Sequence, residues 1–261
     1  MLFRSSGIGR RCAELLLATG CRVAIIDRLI DVDCRSGLDG LAAQHSGSAI
    51  SYHQADITDE SGLNDAVTAA VAQVGAPDLA LHCAGIQLAK PFAKYRGAEF
   101  QRIIDVNLVG SRNFATAALA HMQAGSQLAL VASLAGLVPS YHYAAYNASK
   151  YGVVGLAGAL RLEYAAEGID VSVVCPPEVE TPMVVEERKT MTEVGRMLKA
   201  TAGTLQLDPA CRSILAGLQR RRRLVIPGWR AKTVAALGRW FPGITSWFSE
   251  RTIARGLDTP G

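Results

Sequence analysis

A tyrosine and a lysine four residues apart are the first residues in this chain whose types and spacing could do chemistry. The stretch "YNASK", Tyr146 to Lys150, opens a predicted helix, and a spacing of four places both side chains on one helical face. A free phenol has a pKa of about 10, but a neighbouring ammonium favours the phenolate and lowers that pKa. The pair therefore suits proton exchange with a substrate oxygen at neutral pH. Such pairs also arise by chance, so this one alone is only suggestive.

A serine at the end of an apolar run offers the tyrosine a companion. Ser133 ends "SQLALVAS" (126–133), thirteen residues before Tyr146. A hydroxyl there could hydrogen-bond a substrate carbonyl oxygen beside the tyrosine. The alternative is structural, because an isolated serine at a strand end more commonly caps the segment that follows.

The N-terminal stretch "SSGIGR" predicts a phosphate-binding turn. Gly7 and Gly9 let the backbone approach a pyrophosphate, and the helix that follows offers unpaired N–H groups and its positive end. Asp27 lies eighteen residues after Gly9, the usual distance for an acid that hydrogen-bonds a ribose 2′-OH. Together these features favour a dinucleotide, although glycines also occur in any βα turn. A carboxylate would repel a 2′-phosphate and so favours NAD over NADP, while Arg28 would soften that preference.

Short apolar runs alternate with helical patterns along the chain and would have to position these residues. Nearly continuous apolar runs are typical of strands buried on both faces of a parallel sheet. Their alternation with helices predicts right-handed βαβ units, hence an α/β, Rossmann-like, doubly wound parallel sheet in one domain. The predicted strands are 22–27, 48–56, 77–85, 126–133, 169–177 and 223–228, and the predicted helices include 9–19, 61–74, 98–123 and 147–167.

The same residues form part of a longer series of motifs. The series comprises "SSGIG" (5–9), Asp56-Ile57 in "QADITD", "CAG" (83–85), "DVNL" with Asn107, Ser133, Tyr146-x-x-x-Lys150 and "CPPEVETPM" (175–183). In this order and spacing, over about residues 1–185, the chain resembles the short-chain dehydrogenase/reductase family. The resemblance implies hydride transfer between a nicotinamide cofactor and a secondary alcohol or ketone. The protein would position the two molecules and transfer protons to and from the substrate oxygen.

The resemblance also implies roles for individual catalytic residues. Tyr146 would exchange a proton with the substrate oxygen, and Ser133 would orient the substrate. Lys150 would tune Tyr146 and hold the nicotinamide ribose. Asn107 would hold a water that links Lys150 to solvent. No metal ion is expected in this chemistry.

The implied cofactor site, NAD by preference with NADP as the alternative, runs the length of the motif series. Three pairs of residues would each contact one part of the cofactor. Asp56 and Ile57 would lie at the adenine, Ala84 and Gly85 near the adenosine ribose, and Val179 and Thr181 at the nicotinamide carboxamide. The full set is Ser6, Gly7, Ile8, Gly9, Asp27, Arg28, Asp56, Ile57, Ala84, Gly85, Asn107, Tyr146, Lys150, Val179 and Thr181.

Two departures from the family pattern qualify the resemblance. His82-Cys83 replaces the usual pair of asparagines, which puts one loop hydrogen bond in doubt but not the chemistry. Pro177 stands where many members have glycine, and "PPE" before "TP" resembles the 3-ketodihydrosphingosine reductase branch. That branch usually prefers NADP, whereas Asp27 favours NAD.

A third departure concerns the start of the chain, where no strand is predicted before the phosphate turn. Counting back from Gly7 in the family's G-x-x-x-G-x-G puts Phe3 at the first glycine, and a bulky side chain suits that tight turn badly. The strand before the turn is central in the family, between 22–27 and 77–85, and its absence would leave two ladders of backbone groups unpaired. We therefore expect the first strand to be missing and the natural chain to begin upstream of Met1.

The C-terminal residues differ from the rest of the chain in charge. We expect a catalytic domain over 1–228, with a substrate lid at 182–207 that contains one or two short helices, and a helical extension over 229–261. Residues 220–261 carry eight Arg and one Lys against two acids, a net charge of +7, whereas the other 219 residues carry −3. Basic residues interleaved with tryptophans suit contact of 229–251 with an anionic membrane surface. The alternative is an ordinary helix that covers the substrate pocket or a subunit contact.

Composition bounds the remaining possibilities. The chain has 49% hydrophobic and 19% charged residues, enough for a large core, and six scattered cysteines that suggest reduced thiols in the cytoplasm. No signal peptide, membrane-spanning run or basic stripe for nucleic acid is predicted. The family resemblance implies a homo-oligomer, and a small hydrophobic or lipid-like substrate is expected. A noncatalytic nucleotide-binding scaffold and a 3-oxoacyl-type reductase are the alternatives.

Overall fold

A parallel sheet with helices on both faces organises the chain. The computed structural model describes residues 2–3, 6–188 and 191–257. Its main strands are β1 (Leu2–Phe3), β2 (Arg22–Asp27), β3 (Ala49–Gln54), β4 (Leu79–His82), β5 (Gln127–Val131), β6 (Asp170–Val174) and β9 (Leu224–Val225), and a small second sheet pairs β7 (Glu178–Val179) with β8 (Thr204–Leu205). The order in the main sheet is β3-β2-β1-β4-β5-β6-β9, and neighbouring strands run parallel. The prediction of a doubly wound α/β fold is confirmed.

The prediction that no strand precedes the phosphate turn is wrong for this structure. Leu2 and Phe3 form a two-residue strand in the central position, where Leu2 pairs with Ile25 of β2 and Leu81 of β4. Two residues are too short to show a strand pattern in sequence. They nevertheless occupy the place between β2 and β4, because the facing edges of both strands need backbone hydrogen-bond partners there.

Helices cover both faces of the sheet. They are α1 (Gly7–Leu17), α2 (Val32–Gln44), α3 (Glu60–Val74), α4 (Gly97–Ile104), α5 (Gly110–Leu119), α6 (Ala144–Glu163), α7 (Pro182–Arg188), α8 (Glu193–Ala202), α9 (Leu207–Gln219), α10 (Trp229–Trp240) and α11 (Pro242–Leu257). In β2, Ala24 and Ile26 pack toward α3, α5 and α6, while Val23 and Ile25 pack toward α1, α2 and α9. Burial on both faces is the reason that the strands read as continuous apolar runs.

The sequence patterns identify the longest helices and miss two others. The predicted helix at 98–123 is interrupted by a π-helical turn at Asp105–Val109. Helix α2 was not predicted because it buries only Cys34, Leu38 and Ala42, a narrow stripe of one residue in four in a segment with two glycines. Helix α9 was also not predicted.

The lid and the C-terminal helices lie beyond the carboxyl ends of the strands. Helices α7 and α8 occupy the predicted lid, of which residues 189–190 lie outside the described residues, and α10 and α11 pack on α8. Residues 258–261 of the predicted extension also lie outside the described residues. Ligands bind at this edge in open α/β sheets, so these elements surround the expected site.

Candidate active site

Tyr146, Lys150 and Ser133 come together at the carboxyl end of β5. Tyr146 and Lys150 lie on the first turns of α6, and the Lys150 ammonium is 5.6 Å from the centre of the Tyr146 ring. Lys150 Nζ also donates to the carbonyl of Val131, the last residue of β5, at 3.0 Å. Ser133 Oγ accepts from the backbone N–H of Ala135 at 3.2 Å, so the serine caps the following 3-10 turn and also lines the same cavity as Tyr146.

Asn107 is fully buried in the π-helical turn between α4 and α5. Its Oδ1 accepts from the backbone N–H of Ile86 at 2.8 Å, and its Nδ2 donates to the Ile86 carbonyl at 2.9 Å and to Ser149 Oγ at 3.0 Å. The Ser111 hydroxyl donates to the Asn107 carbonyl at 2.6 Å. The Asn107 amide thus ties the loop after β4 to α6.

Ser149, which the sequence analysis did not single out, and Gly85, which it assigned to the cofactor site, complete this arrangement. Ser149 is fully buried and donates to the Tyr146 carbonyl at 2.8 Å while it accepts from Asn107, so it connects Asn107 to the backbone of the tyrosine. At Gly85, an added Cβ would lie 3.2 Å from Asn107 Oδ1 and 3.3 Å from Lys150 Nζ. The absence of a side chain at Gly85 therefore leaves room for both functional groups.

The phosphate turn enters the same cavity from the opposite side. Gly7 has a φ of +52°, which favours glycine, and a Cβ there would lie 3.3 Å from Thr181 Cγ2. Ser6, Gly7 and Ile8 line the cavity at the start of α1, whose first turn carries no acidic residue. The arrangement fits the phosphates of a dinucleotide, because a helix N-terminus without nearby carboxylates attracts anions.

The residues predicted to meet the adenosine end gather at the ends of β2 and β3. Asp27 ends β2, and its carbonyl accepts from the Ala55 N–H at 3.1 Å. The Arg28 guanidinium lies 3.9 Å from Asp56. Hydrogen bonds from the backbone and hydroxyl of Thr58 and the charge of Arg28 outweigh burial, and they hold the pKa of the Asp56 carboxyl below its usual range. Asp56 therefore presents a charged carboxylate at this edge.

A cavity of about 790 Å³ collects about half of the predicted site. Of the predicted site residues, its lining contains Ser6, Gly7, Ile8, Gly85, Ser133, Tyr146, Lys150, Val179 and Thr181. Gly9, Asp27, Arg28, Asp56, Ile57, Ala84 and Asn107 lie outside that lining. Ile57 is a core residue packed on Gly110, and its carbonyl accepts from Asn113 Nδ2 at 3.1 Å.

The far wall of the cavity comes from elements whose role the sequence did not specify. Helix α11 contributes Ile244, Trp247, Phe248 and Ile253, and α8 and α10 contribute further apolar side chains. Tyr143, Glu178 and Lys199 add polar groups to the lining. In the sequence, "PPEVETP" draws attention to Pro177 and Thr181, and no pattern links Glu178 to a lysine twenty-one residues further on.

The departure at His82-Cys83 is accommodated within the core. His82 is buried at the end of β4, its Nδ1 lies 3.3 Å from Ser111 Oγ, and its ring packs at 5.3 Å on Phe114. Within the described part of the chain, no group of three or more His, Cys, Asp or Glu side chains could hold a metal ion.

Comparison with known sequences places this geometry among related proteins. The model of the short chain dehydrogenase family matches residues 4–192. Two 3-dehydrosphinganine reductases of Arabidopsis thaliana are similar to the chain: TSC10B is 32% identical over 220 residues, and TSC10A is 35% identical over 225 residues. These matches cover 82% of this chain and 65% and 66% of the two relatives, so the chain spans slightly less than two thirds of their length. A D-beta-hydroxybutyrate dehydrogenase of Rhizobium meliloti is 30% identical over 185 residues, 70% of this chain and 71% of that protein.

Solved structures share the fold at lower sequence identity. A short chain dehydrogenase from Mycobacterium paratuberculosis, bound to NAD, superposes with a TM-score of 0.78 and 21% identity over 88% of this chain and 96% of that chain. Levodione reductase gives a TM-score of 0.76 and 24% identity over 85% of this chain and 92% of that chain.

Proposed function

Because the chain belongs to the short chain dehydrogenase family, we propose that it is an NAD(P)-dependent oxidoreductase that interconverts a secondary alcohol and a ketone. The observation that carries the proposal is the meeting of Ser133, Tyr146 and Lys150 with the phosphate turn in one cavity. A noncatalytic nucleotide-binding scaffold of the same fold would have no need of this proton-exchanging group.

We propose distinct tasks for the three side chains. Tyr146 exchanges a proton between its phenolic oxygen and the substrate oxygen, and Ser133 donates a hydrogen bond to that substrate oxygen. Lys150 stabilises the negative charge that develops on the phenolic oxygen, since its ammonium is held beside the ring by the Val131 carbonyl. When bound, the nicotinamide cofactor supplies or accepts the hydride.

The start of α1 and the adenosine-end residues support dinucleotide binding. We propose that the phosphates lie at the α1 N-terminus and that Asp27 selects NAD by accepting from a ribose hydroxyl. NADP use remains the alternative, since Arg28 is close to the same edge. We propose that Ala84 and Gly85 lie near the adenosine ribose and that Val179 and Thr181 lie at the nicotinamide carboxamide.

The test of the activity is the variant Tyr146→Phe, which keeps the ring and removes the hydroxyl. Wild-type protein and the variant are assayed with ketones and secondary alcohols of increasing chain length, including a 3-oxoacyl thioester, with NADH and NADPH in parallel. We expect the variant to lose at least about 100-fold in turnover, the usual contribution of a positioned acid or base. Cofactor binding, followed by nicotinamide fluorescence, should change little. Turnover equal to wild type would rule out the proposed role, and binding of cofactor without any turnover by wild type would favour the scaffold.

We propose a hydrophobic or lipid-like substrate. The cavity beyond Tyr146 is walled by apolar residues of α8, α10 and α11, including Leu198, Leu237 and Ile253. Apolar walls favour a long aliphatic group, at about 0.8 kcal/mol per buried methylene. The similarity to the two plant 3-dehydrosphinganine reductases supports the same substrate class. In the chain-length series, KM should therefore fall as the substrate lengthens.

A specific observation favours a second proposal, that α10 and α11 contact an anionic membrane surface. We call the large exposed aromatic side chains of this segment the tail surface, and each of its tryptophans is accompanied by an arginine. The tail surface comprises Trp229, Trp240, Phe241, Trp247 and Phe248. The pairs are Trp229 with Arg230 at 5.8 Å, Trp240 with Arg239 at 5.6 Å and Trp247 with Arg251 at 5.5 Å, measured from guanidinium carbon to ring centre. Trp229 is 75% exposed and Trp240 71% exposed. Interfacial aromatics anchor a helix at the headgroups, and each nearby cation adds about 1 kcal/mol on an anionic leaflet.

The tail surface also lies at the mouth of the cavity, because Trp247 and Phe248 are exposed and line the cavity as well. A lipid-like substrate could then pass between bilayer and cavity without crossing water. Among the described residues, no helix is both long and apolar enough to cross a membrane.

Vesicle flotation tests the membrane proposal. Wild-type protein should float with phosphatidylserine-containing vesicles and not with purely zwitterionic ones, and Trp240→Ala should weaken flotation. Phe92→Ala is the matched control, since Phe92 is equally exposed but lies outside the tail surface. If wild type fails to float, or if both variants float alike, α10 and α11 instead serve as a cover for the pocket or as a subunit contact.

We further propose that the protein acts in the cytoplasm as a homo-oligomer. Supporting this, all six cysteines are free thiols, α6 exposes Tyr151 and Leu162, and residues of α5 and α6 line a separate surface groove. Light scattering on the purified protein measures the oligomeric mass, and a monomer at micromolar concentration would contradict the proposal.

A further inference from the structure

Glu178 is a nearly buried carboxylate at the edge of the cavity that the proposed chemistry does not use. It lies on β7, and its side chain is only 8% exposed. Burial alone would raise the pKa of this carboxyl, but hydrogen bonds from Arg188 and Thr204 and the charge of Lys199 outweigh it and leave the pKa below its usual value. Glu178 is therefore an ionised group held by its partners in a largely apolar wall.

Its partners come from three different segments of the lid. From α7, Arg188 donates to Oε1 through Nη2 and, at 3.2 Å, through Nε. From β8, the Thr204 hydroxyl donates to the same oxygen at 3.0 Å, next to the backbone pairing of Glu178 with Thr204. From α8, the Lys199 ammonium lies 3.6 Å from Oε2. One carboxylate thus joins α7, α8 and β8 to the segment that carries Val179 and Thr181.

The same contacts lead to the proposed catalytic tyrosine. The Lys199 ammonium lies 4.6 Å from the centre of the Tyr143 ring. Tyr143 is buried and packs edge-on against Tyr146, with the ring centres 6.0 Å apart. A displacement of α8 would therefore reach the Tyr146 ring only indirectly, through Tyr143.

We propose that Glu178 is a positioning residue that anchors the lid over the cavity and so shapes the substrate-binding part of the cavity. The inference rests on the proposed oxidoreductase function for its kinetic consequences but not for its structural ones. Without the carboxylate, Arg188 would keep its 3.6 Å contact with Glu180 but lose both hydrogen bonds to β7, and Lys199 would lose its contact with Glu178. Both side chains are already partly exposed, so they would turn toward solvent and loosen α7 and α8 from β7. The substrate would then meet a looser cavity, whereas the proton exchange at Tyr146 would be retained.

The variant Glu178→Gln removes the charge and keeps the shape. We expect KM for the best ketone to rise roughly tenfold, within the range of couplings in a shared polar network, with kcat changed by less than about twofold. Limited trypsin digestion, read by mass spectrometry, should show faster cleavage after Arg188 and Lys199. Glu60→Gln is the matched control. Glu60 pairs with Arg112 at the surface, in a part of the sequence far from the lid, so this variant should leave both KM and the cleavage rate unchanged. Glu178→Asp, which restores the charge one methylene shorter, should recover part of the loss.

A second variant separates anchoring from direct contact with the substrate. Lys199→Gln should also raise KM, and the double variant with Glu178→Gln should be no worse than the worse single variant, because both changes break one network. Fully additive effects would mean that Lys199 acts on the substrate by itself, which would overturn the proposal. Wild-type cleavage rates and an unchanged KM in Glu178→Gln would overturn it as well. If no ketone is turned over by wild type, the digestion result still decides the anchor, so the failure of the activity and the failure of the anchor are distinguishable.

Discussion

Removal of the Asn107 amide tests quantitatively how strongly its hydrogen bonds hold the site together. In Asn107→Ala, the Ile86 N–H, the Ile86 carbonyl and Ser149 Oγ each lose a partner at 2.8 to 3.0 Å. A buried polar group left unsatisfied costs about 1–3 kcal/mol. Ile86 is half-buried, so water can replace part of its bonding, and Ser149 keeps its bond to the Tyr146 carbonyl. We therefore expect a loss of about 3 kcal/mol in the free energy of unfolding, or about 6–12 °C in Tm for a chain of this size.

The assay is urea unfolding of the ligand-free protein, followed by circular dichroism. Asn113→Ala is the matched control, because Asn113 is similarly buried on α5 but makes one hydrogen bond to the backbone, to Ile57 at 3.1 Å. Its only other hydrogen bond among the described residues comes from the half-exposed side chain of Arg112, which water can replace. We expect that control to lose only about 1 kcal/mol. If Asn107→Ala proves as stable as Asn113→Ala, the Asn107 amide does not tie the loop after β4 to α6, and the reasoning is refuted.

Three further perturbations test other parts of the account. Asp27→Ala removes the carboxylate that would repel a 2′-phosphate, so the ratio of NADPH to NADH turnover should rise at least about tenfold, and an unchanged ratio would remove Asp27 from cofactor selection. Gly85→Ala adds a methyl group 3.3 Å from Lys150 Nζ. Measured on the same preparation, the variant should lose more free energy of transition-state stabilisation, from kcat, than free energy of unfolding, from Tm. Glu99 accepts several hydrogen bonds, above all the one from Lys90, and together they lower the pKa of its carboxyl to about 2. Since the unfolded state then takes up that proton first, the stabilisation is present above the usual carboxyl pKa and is lost as pH falls toward 2, and Glu99→Gln should flatten the acid side of a stability-against-pH curve.

The main sheet and the residues around Tyr146 could be predicted because their signals are local. Strands buried on both faces give continuous apolar runs, and a spacing of four on α6 places Tyr146 beside Lys150 whatever surrounds them. The serine at 133 shows the limit of such reasoning. The sequence offered capping and substrate contact as alternatives, and the structure places one hydroxyl where it caps the next turn and also faces the cavity.

The features that sequence could not supply depend on contacts between distant segments. Glu178 and Lys199 meet only because β7 pairs with β8 and brings α8 back over the cavity. The two residues of β1 carry no periodic signal, and their position is decided by the unpaired edges of β2 and β4 on either side. Similarly, the pattern of tryptophans and arginines in α10 and α11 does not reveal that Trp247 lines the cavity.

Transfer of deuterium tests the central claim most directly. Wild-type protein is incubated with a long-chain ketone and nicotinamide cofactor deuterated at C4, with each face labelled in separate reactions, and the alcohol is analysed by mass spectrometry. The account predicts that the alcohol carries one deuterium on its carbinol carbon from one face only, and that Tyr146→Phe forms this product at least about 100-fold more slowly. Alcohol without deuterium from either label, or equal rates for the two proteins, would contradict it.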